Sequence, residues 1–174
     1  MAEQTIKLAA NVAARLEAIA RKMGGGTVSV GFLEGKEASI AFWNEFGHGG
    51  NFPAPARPFF RRMVARESGE WPAKMGALVK ATNYDGHKVL GIMGEDIAGA
   101  ITQSIFDLSE PALSPTTLML RKTFGNSPER IRARDVVQAQ RDVAAGKEGA
   151  SGTQAKPLVW TGTMARSPSY VVED

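Results

Sequence analysis

The sequence predicts an α+β fold, on three observations. Apolar residues recur every three or four positions over residues 3–23 and 88–106, the spacing of amphipathic helices. Apolar and polar residues alternate through residues 27–33, the two-residue period of a strand. Near the other end, Tyr170, Val171 and Val172 favour a second strand.

Ile6, Ala9, Ala13, Leu16, Ile19 and Met23 form the stripe of the first helix, and Gly24-Gly25-Gly26 stops it. In the following strand Val28, Val30 and Phe32 share one face. Residues 34–36 make a turn into a short helix over 37–46, with Gly47 as its left-handed cap. A flexible loop runs from Gly49 to Pro58. From Arg57 a helix carries Phe59, Phe60, Met63, Val64 and Trp71 on one stripe, and Pro72 predicts a kink or boundary near Trp71. Residues 83–86 read as a turn. Over 88–106, Leu90, Met93, Ile97, Ile101 and Ile105 mark a helix in which Gly94 and Gly99 either weaken the structure or permit close packing. Ser114-Pro115 is a cap followed by proline at the first helical position, opening a helix to about residue 122. Ser127-Pro128 repeats the device before a polar helix over 128–145. Residues 146–156 read as a mobile loop, and Pro168 places the last strand at an edge.

The chain has 174 residues, 43% of them apolar, enough to bury a core as one domain over 1–174. Residues 123–156 read as an inserted polar helix with a flexible loop. A net charge of +3 falls far short of a dedicated nucleic-acid binder. The lack of cysteine excludes disulfides, thiolate nucleophiles and Cys-ligated zinc. No apolar run approaches a membrane span, and no signal peptide is apparent, so a soluble protein of the cytoplasm is expected.

Catalytic chemistry needs convergent polar groups, and the pattern offers none. His48 and His87 both fall in loops, Glu95 and Asp96 point to different helix faces, and no nucleotide, metal or nucleophile motif occurs. The expectation is a protein that is not an enzyme, with no catalytic residue, metal or cofactor.

Three segments carry more specific information. They are Glu45-Phe46-Gly47 at the end of the short helix, Pro55-Ala56-Arg57-Pro58-Phe59 at the start of the next, and Pro157-Leu158-Val159-Trp160-Thr161-Gly162-Thr163-Met164 with Ser167 and Tyr170 beyond. With Ser114-Pro115-Thr116-Thr117-Leu118 and Lys122 between them, their order and spacing from about residue 27 onward resemble the neck, or tail-completion, proteins of long-tailed bacteriophages. The sequence departs from that pattern at His48-Gly49-Gly50-Asn51, where the family often continues with threonine, and in the greater length of 123–156. The resemblance implies a small antiparallel sheet packed against several helices. It also implies a virion protein of the head–tail junction, assembled in the host cytoplasm as part of a homo-oligomeric ring. Its neighbours would be the adaptor and stopper proteins of the connector and the tail terminator. A tail terminator or other minor tail protein is the nearest alternative.

The residues support contact roles of their own. Glu45 lies where its helix dipole opposes a carboxylate, so a cationic partner, Arg57 or Arg61, is expected. Phe42, Trp43, Phe46, Phe52, Phe59 and Phe60 crowd into twenty positions. Half or more are expected in the core, with Trp43 and Phe52 the best candidates to meet another subunit. Trp160 is a further anchor, its alternative being a core residue at the start of the last strand. The expected contact set is Trp43, Glu45, Phe46, Phe52, Arg57, Phe59 and Trp160. Between residues 121 and 147 stand seven Lys or Arg against three Asp or Glu. Arg130, Arg132, Arg134 and Arg141 are therefore candidates to face an acidic partner or DNA in the channel, and a solvated helix is the plain alternative. A sequence-independent DNA-binding protein is the remote alternative function.

Overall fold

The computed structural model describes residues 2–33, 35–50 and 53–173, with side chains from Asn11 onward. The chain is α+β, with seven α-helices and one two-stranded antiparallel sheet among the described residues. In order the elements are α1 (Ala2–Met23), β1 (Thr27–Gly31), α2 (Gly35–Phe46), α3 (Phe59–Glu67), α4 (Trp71–Ala81), α5 (Gly86–Asp107), α6 (Pro115–Phe124), α7 (Ala133–Ala144) and β2 (Ser169–Glu173). Contacts divide them into two compact units. One comprises Met1–Gly31, Arg66–Ala98 and Ser169–Asp174, and the other Phe32–Ala65 and Gly99–Pro168.

The first unit holds the sheet. Thr27 pairs with Glu173 and Gly31 with Ser169, so the two strands read in the sequence are each other's partner. The sheet lies on the first half of α5, and Gly94 is what lets it approach. A methyl group there would stand 2.5 Å from the Tyr170 ring and 2.9 Å from Val28. Gly99 has open space around it and serves no such purpose. Asp85 accepts the Lys88 backbone N–H at 3.0 Å and so caps α5. Its turn is made by Asn83 and Tyr84, both with positive φ. From Asn11 to Met23, helix α1 is exposed except at Ile19, and its end abuts the start of α5, where a Cβ on Gly86 would strike the Met23 carbonyl. Of its stripe, Leu16 is 61% exposed and Met23 43%, and Val12 beside them is exposed too.

The second unit buries Phe59, Met63, Ile101, Ile105 and Met119. Each such side chain contributes about 1.5–3 kcal/mol by leaving water. Helices α6 and α7 form a hairpin. Ser114 caps α6 as the sequence predicts, accepting the Thr117 N–H at 3.1 Å.

The boundary expected near Trp71 is there: α3 ends at Glu67, and Trp71 starts α4 with Pro72 in its first turn, where a missing donor costs nothing. Three expectations need correction. Residues 128–145 are not one helix. Pro128 starts only a 3-10 turn, Ile131 is extended, and α7 begins anew where the Asp135 carboxylate accepts the Arg132 N–H at 2.8 Å. The segment 146–156 is held down. Ala150 N–H donates to the Leu118 carbonyl, and Lys122 donates to that of Glu148. Finally, Trp160 does not open the last strand, which starts nine residues later at Ser169.

Candidate functional site

The best-defined constellation lies in the second unit, where α2 ends and α3 begins. Gly47 closes α2 with φ +72, and a Cβ there would sit 2.7 Å from the Ala56 nitrogen. Glycine is thus demanded twice, by conformation and by space. The chain turns back at once, because His48 and Ala54 exchange backbone hydrogen bonds of 3.0 and 2.9 Å. Arg57 N–H then donates to the Asn44 carbonyl at 2.7 Å. The predicted loop is therefore closed at its base.

Glu45 explains the motif. Its side chain, 7% exposed, accepts the backbone N–H groups of Phe60 and Arg61 at 2.9 and 3.2 Å. Those are two of the donors that the first turn of α3 cannot satisfy internally. The carboxylate is poorly placed for the dipole of α2 and well placed for that of α3. Of the two expected cationic partners it takes Arg61, at 2.8 Å. Arg57 is instead buried, donates to the Pro111 carbonyl at 3.3 Å, and has its pKa lowered by burial.

Phe59 is 1% exposed, edge-on to Phe32 with ring centres 6.0 Å apart, and its carbonyl accepts the Ser104 hydroxyl at 2.7 Å. Glu45, Arg57 and Phe59, predicted as contact residues, thus face inward and build the frame. What the frame holds outward is aromatic. Phe42, Trp43 and Phe46 are each a little over half exposed, with Ile40 beside them. The rings support one another: Phe42 lies 5.4 Å from Trp43 and 4.9 Å from Phe46, and Trp43 lies 5.9 Å from His48. The Arg61 guanidinium covers Phe46 at 5.0 Å. An open groove of about 770 Å³ runs beside them, lined by Ile40, Trp43, Asn44, Gly47, His48 and Gly49. More of this cluster is exposed than the sequence suggests, since among its described rings only Phe59 is buried and Phe60 half-buried. Phe52 lies outside the described residues.

A second anchor, which the sequence did not single out, is Arg121. It is 4% exposed and donates to the carbonyls of Gln154, Lys156 and Pro157 at 2.7–3.0 Å. Its guanidinium lies 5.0 Å over the Trp160 ring, and the Trp160 N–H donates to the Gly125 carbonyl. Burial, helped by the charge of Arg57, pushes the Arg121 pKa down to about 10, so it stays protonated at neutral pH. Trp160 is half-buried and fully engaged within the chain. A cleft of about 260 Å³ lies between Arg121, Trp160, Thr161 and α2. A pair of like charges at Arg57 and Arg121, neither within ion-pair distance of a carboxylate among the described residues, resembles a structural clamp on carbonyls more than a ligand site.

The four basic candidates are all exposed. Arg132 donates to the carbonyls of Glu129 and Ile131, and Arg134 stands 3.9 Å from Asp135. No group of His, Asp or Glu among the described residues is arranged to hold a metal ion, and no described helix is long and apolar enough to cross a membrane. No protein-family model, curated protein or solved structure matches the chain.

Proposed function

We propose that this chain is a structural subunit of the head–tail junction of a long-tailed bacteriophage, one copy in a ring that completes the tail and joins it to the connector. One observation carries the reading. The separated segments that resemble the neck proteins converge in the second unit. Glu45 of the first caps the helix that the second opens. Asn44 beside Glu45 meets Met164 of the third, Nδ2 to Sδ, at 3.9 Å. Arg121, in the helix opened by Ser114-Pro115, clamps the start of that third segment.

Such convergence gives the motifs a shared physical purpose, which is to hold the outer face of α2 in a fixed shape. A rigid frame presenting half-exposed aromatic rings suits a protein that acts by geometry, because rings on a fixed backbone lose little entropy on docking. The neighbours are further copies, the adaptor and stopper proteins, and the tail terminator.

The test is made in a phage that encodes the chain. Mass spectrometry of purified virions should find it. Without it, full capsids and tails of normal length should accumulate unjoined. Tails of irregular length would instead indicate a terminator, and infectious particles lacking the chain would sink the proposal.

A further inference from the structure

The outer face of α2 stays exposed in its own subunit, and we propose that it packs against the same face of a second copy. Two chains then pair through α2 across a twofold axis. This goes beyond the proposed function, because a twofold contact closes at two copies and leaves any ring to other faces.

The spacing on α2 is that of a helix built to pack on another helix. Ser39, Phe42, Trp43 and Phe46 recur at intervals of three and four, and all four are exposed. Ile40 flanks them at 48% exposure. Ser39 is the small residue among the rings, the point where a second helix can approach closely. The backbone beneath is held, since Glu45 of the same helix accepts two N–H groups of α3.

Charge favours a copy of the same face as the occupant. In a twofold contact each group near the axis meets its own duplicate, so a free charge there would repel itself. Between Ser39 and Phe46 the one charged residue is Glu45, which is buried and paired with Arg61. Lys36 at one end and Arg61 at the other are exposed and form a polar rim. A head-to-tail contact would instead need a second apolar face of like size. Among the described side chains none matches: α1 offers Val12, Leu16 and Met23 without a ring, and Val137 stands between Arg134 and Arg141 on α7. Tyr170 and Val171 are neighbours on a strand and point opposite ways.

The area agrees. Three half-exposed rings with Ile40 present on the order of 400 Å², so two copies bring on the order of 800 Å². A standard interface removes about 1,200–2,000 Å², a little over half of it apolar, which is about 700–1,100 Å² of apolar surface. The paired faces reach that range with no contribution from elsewhere.

Sedimentation equilibrium of the full-length protein should show a monomer–dimer equilibrium. Trp43→Gln changes an exposed side chain, so its circular dichroism and urea midpoint should stay, while dimerisation weakens at least about ten-fold. Leu16→Asp should leave the dimer unchanged. The chain has no cysteine, so Ser39→Cys, a nearly isosteric change, gives a clean second readout even if Trp43→Gln folds poorly. A short bis-maleimide should link Ser39→Cys chains in pairs at least about five-fold faster than Val137→Cys chains, whose site is 46% exposed. A monomer at the highest soluble concentration would overturn the inference and leave the face to a different protein. Equal linking of the two cysteine variants, or a dimer lost with Leu16→Asp, would also overturn it. Assemblies larger than two that Trp43→Gln abolishes would replace the twofold contact by a head-to-tail one. Virions lacking the chain would sink the proposed function and leave the dimer standing, and a monomeric chain found in virions would do the opposite.

Discussion

Around Glu45, the polar groups turned inward find partners inside the chain, whereas Val12, Leu16 and Met23 on α1 stand exposed. The first region carries a buried carboxylate with two backbone donors and a guanidinium on it. The second is an amphipathic helix whose apolar residues Val12, Leu16 and Met23 stand in water. The difference separates two meanings of a sequence pattern. A motif such as Glu45-Phe46-Gly47 is satisfied locally and stabilises the monomer. A helix whose apolar residues stay exposed carries a pattern that this subunit does not use for its own core.

The strongest way to break that comparison is at Glu45. Glu45→Ala leaves the Phe60 and Arg61 N–H groups without their acceptor and Arg61 without its counter-charge. The expected loss is about 3 kcal/mol, read as a shift in the urea midpoint at unchanged slope. Arg61→Ala removes the exposed partner alone and should cost about 1 kcal/mol or less, since Arg61 is 57% exposed. A charge-swapped double variant should not recover the loss, because an arginine at 45 cannot accept from the backbone. Equal effects from the two single variants would mean that the ion pair, and not the helix cap, holds the frame.

Arg121 comes next. Arg121→Met keeps the packing volume but strands three carbonyls and the Trp160 face. It should cost about 2 kcal/mol. It should also release the 146–157 segment, read as faster proteolysis there with α1 unaffected. Protection unchanged at 146–157 would show that the Leu118 and Lys122 contacts suffice without the clamp.

How much of this was legible in the sequence follows from the range of each signal. Periodicity revealed α1, α5 and β1, and the strand preference of Tyr170, Val171 and Val172 revealed β2, because each signal is local. Gly47 and Ser114 were readable as caps because their chemistry is set by neighbours one to three residues away. The pairing of Glu45 with Arg61 was half legible: a misplaced carboxylate required a cation, but only the fold chooses between Arg57 and Arg61. Arg121 left no local trace, since its partners are carbonyls more than thirty residues distant and a carbonyl carries no sequence identity. Counting charge over 121–147 drew attention to Arg130, Arg132, Arg134 and Arg141, all in solvent, and hid Arg121 among them. The division of 128–145 was missed because Ser-Pro opens a 3-10 turn as readily as an α-helix.

The smallest effect on stability is also the most pointed. Leu16→Asp places a charge in the middle of the α1 stripe. If that stripe met the core of its own subunit, burying an unpaired carboxylate would cost several kcal/mol. Leu16 is 61% exposed, so the expected change in the urea midpoint corresponds to less than about 0.5 kcal/mol. Glu45→Ala should cost the monomer several times more. A Leu16→Asp protein that unfolds easily would place α1 in the core of its own chain.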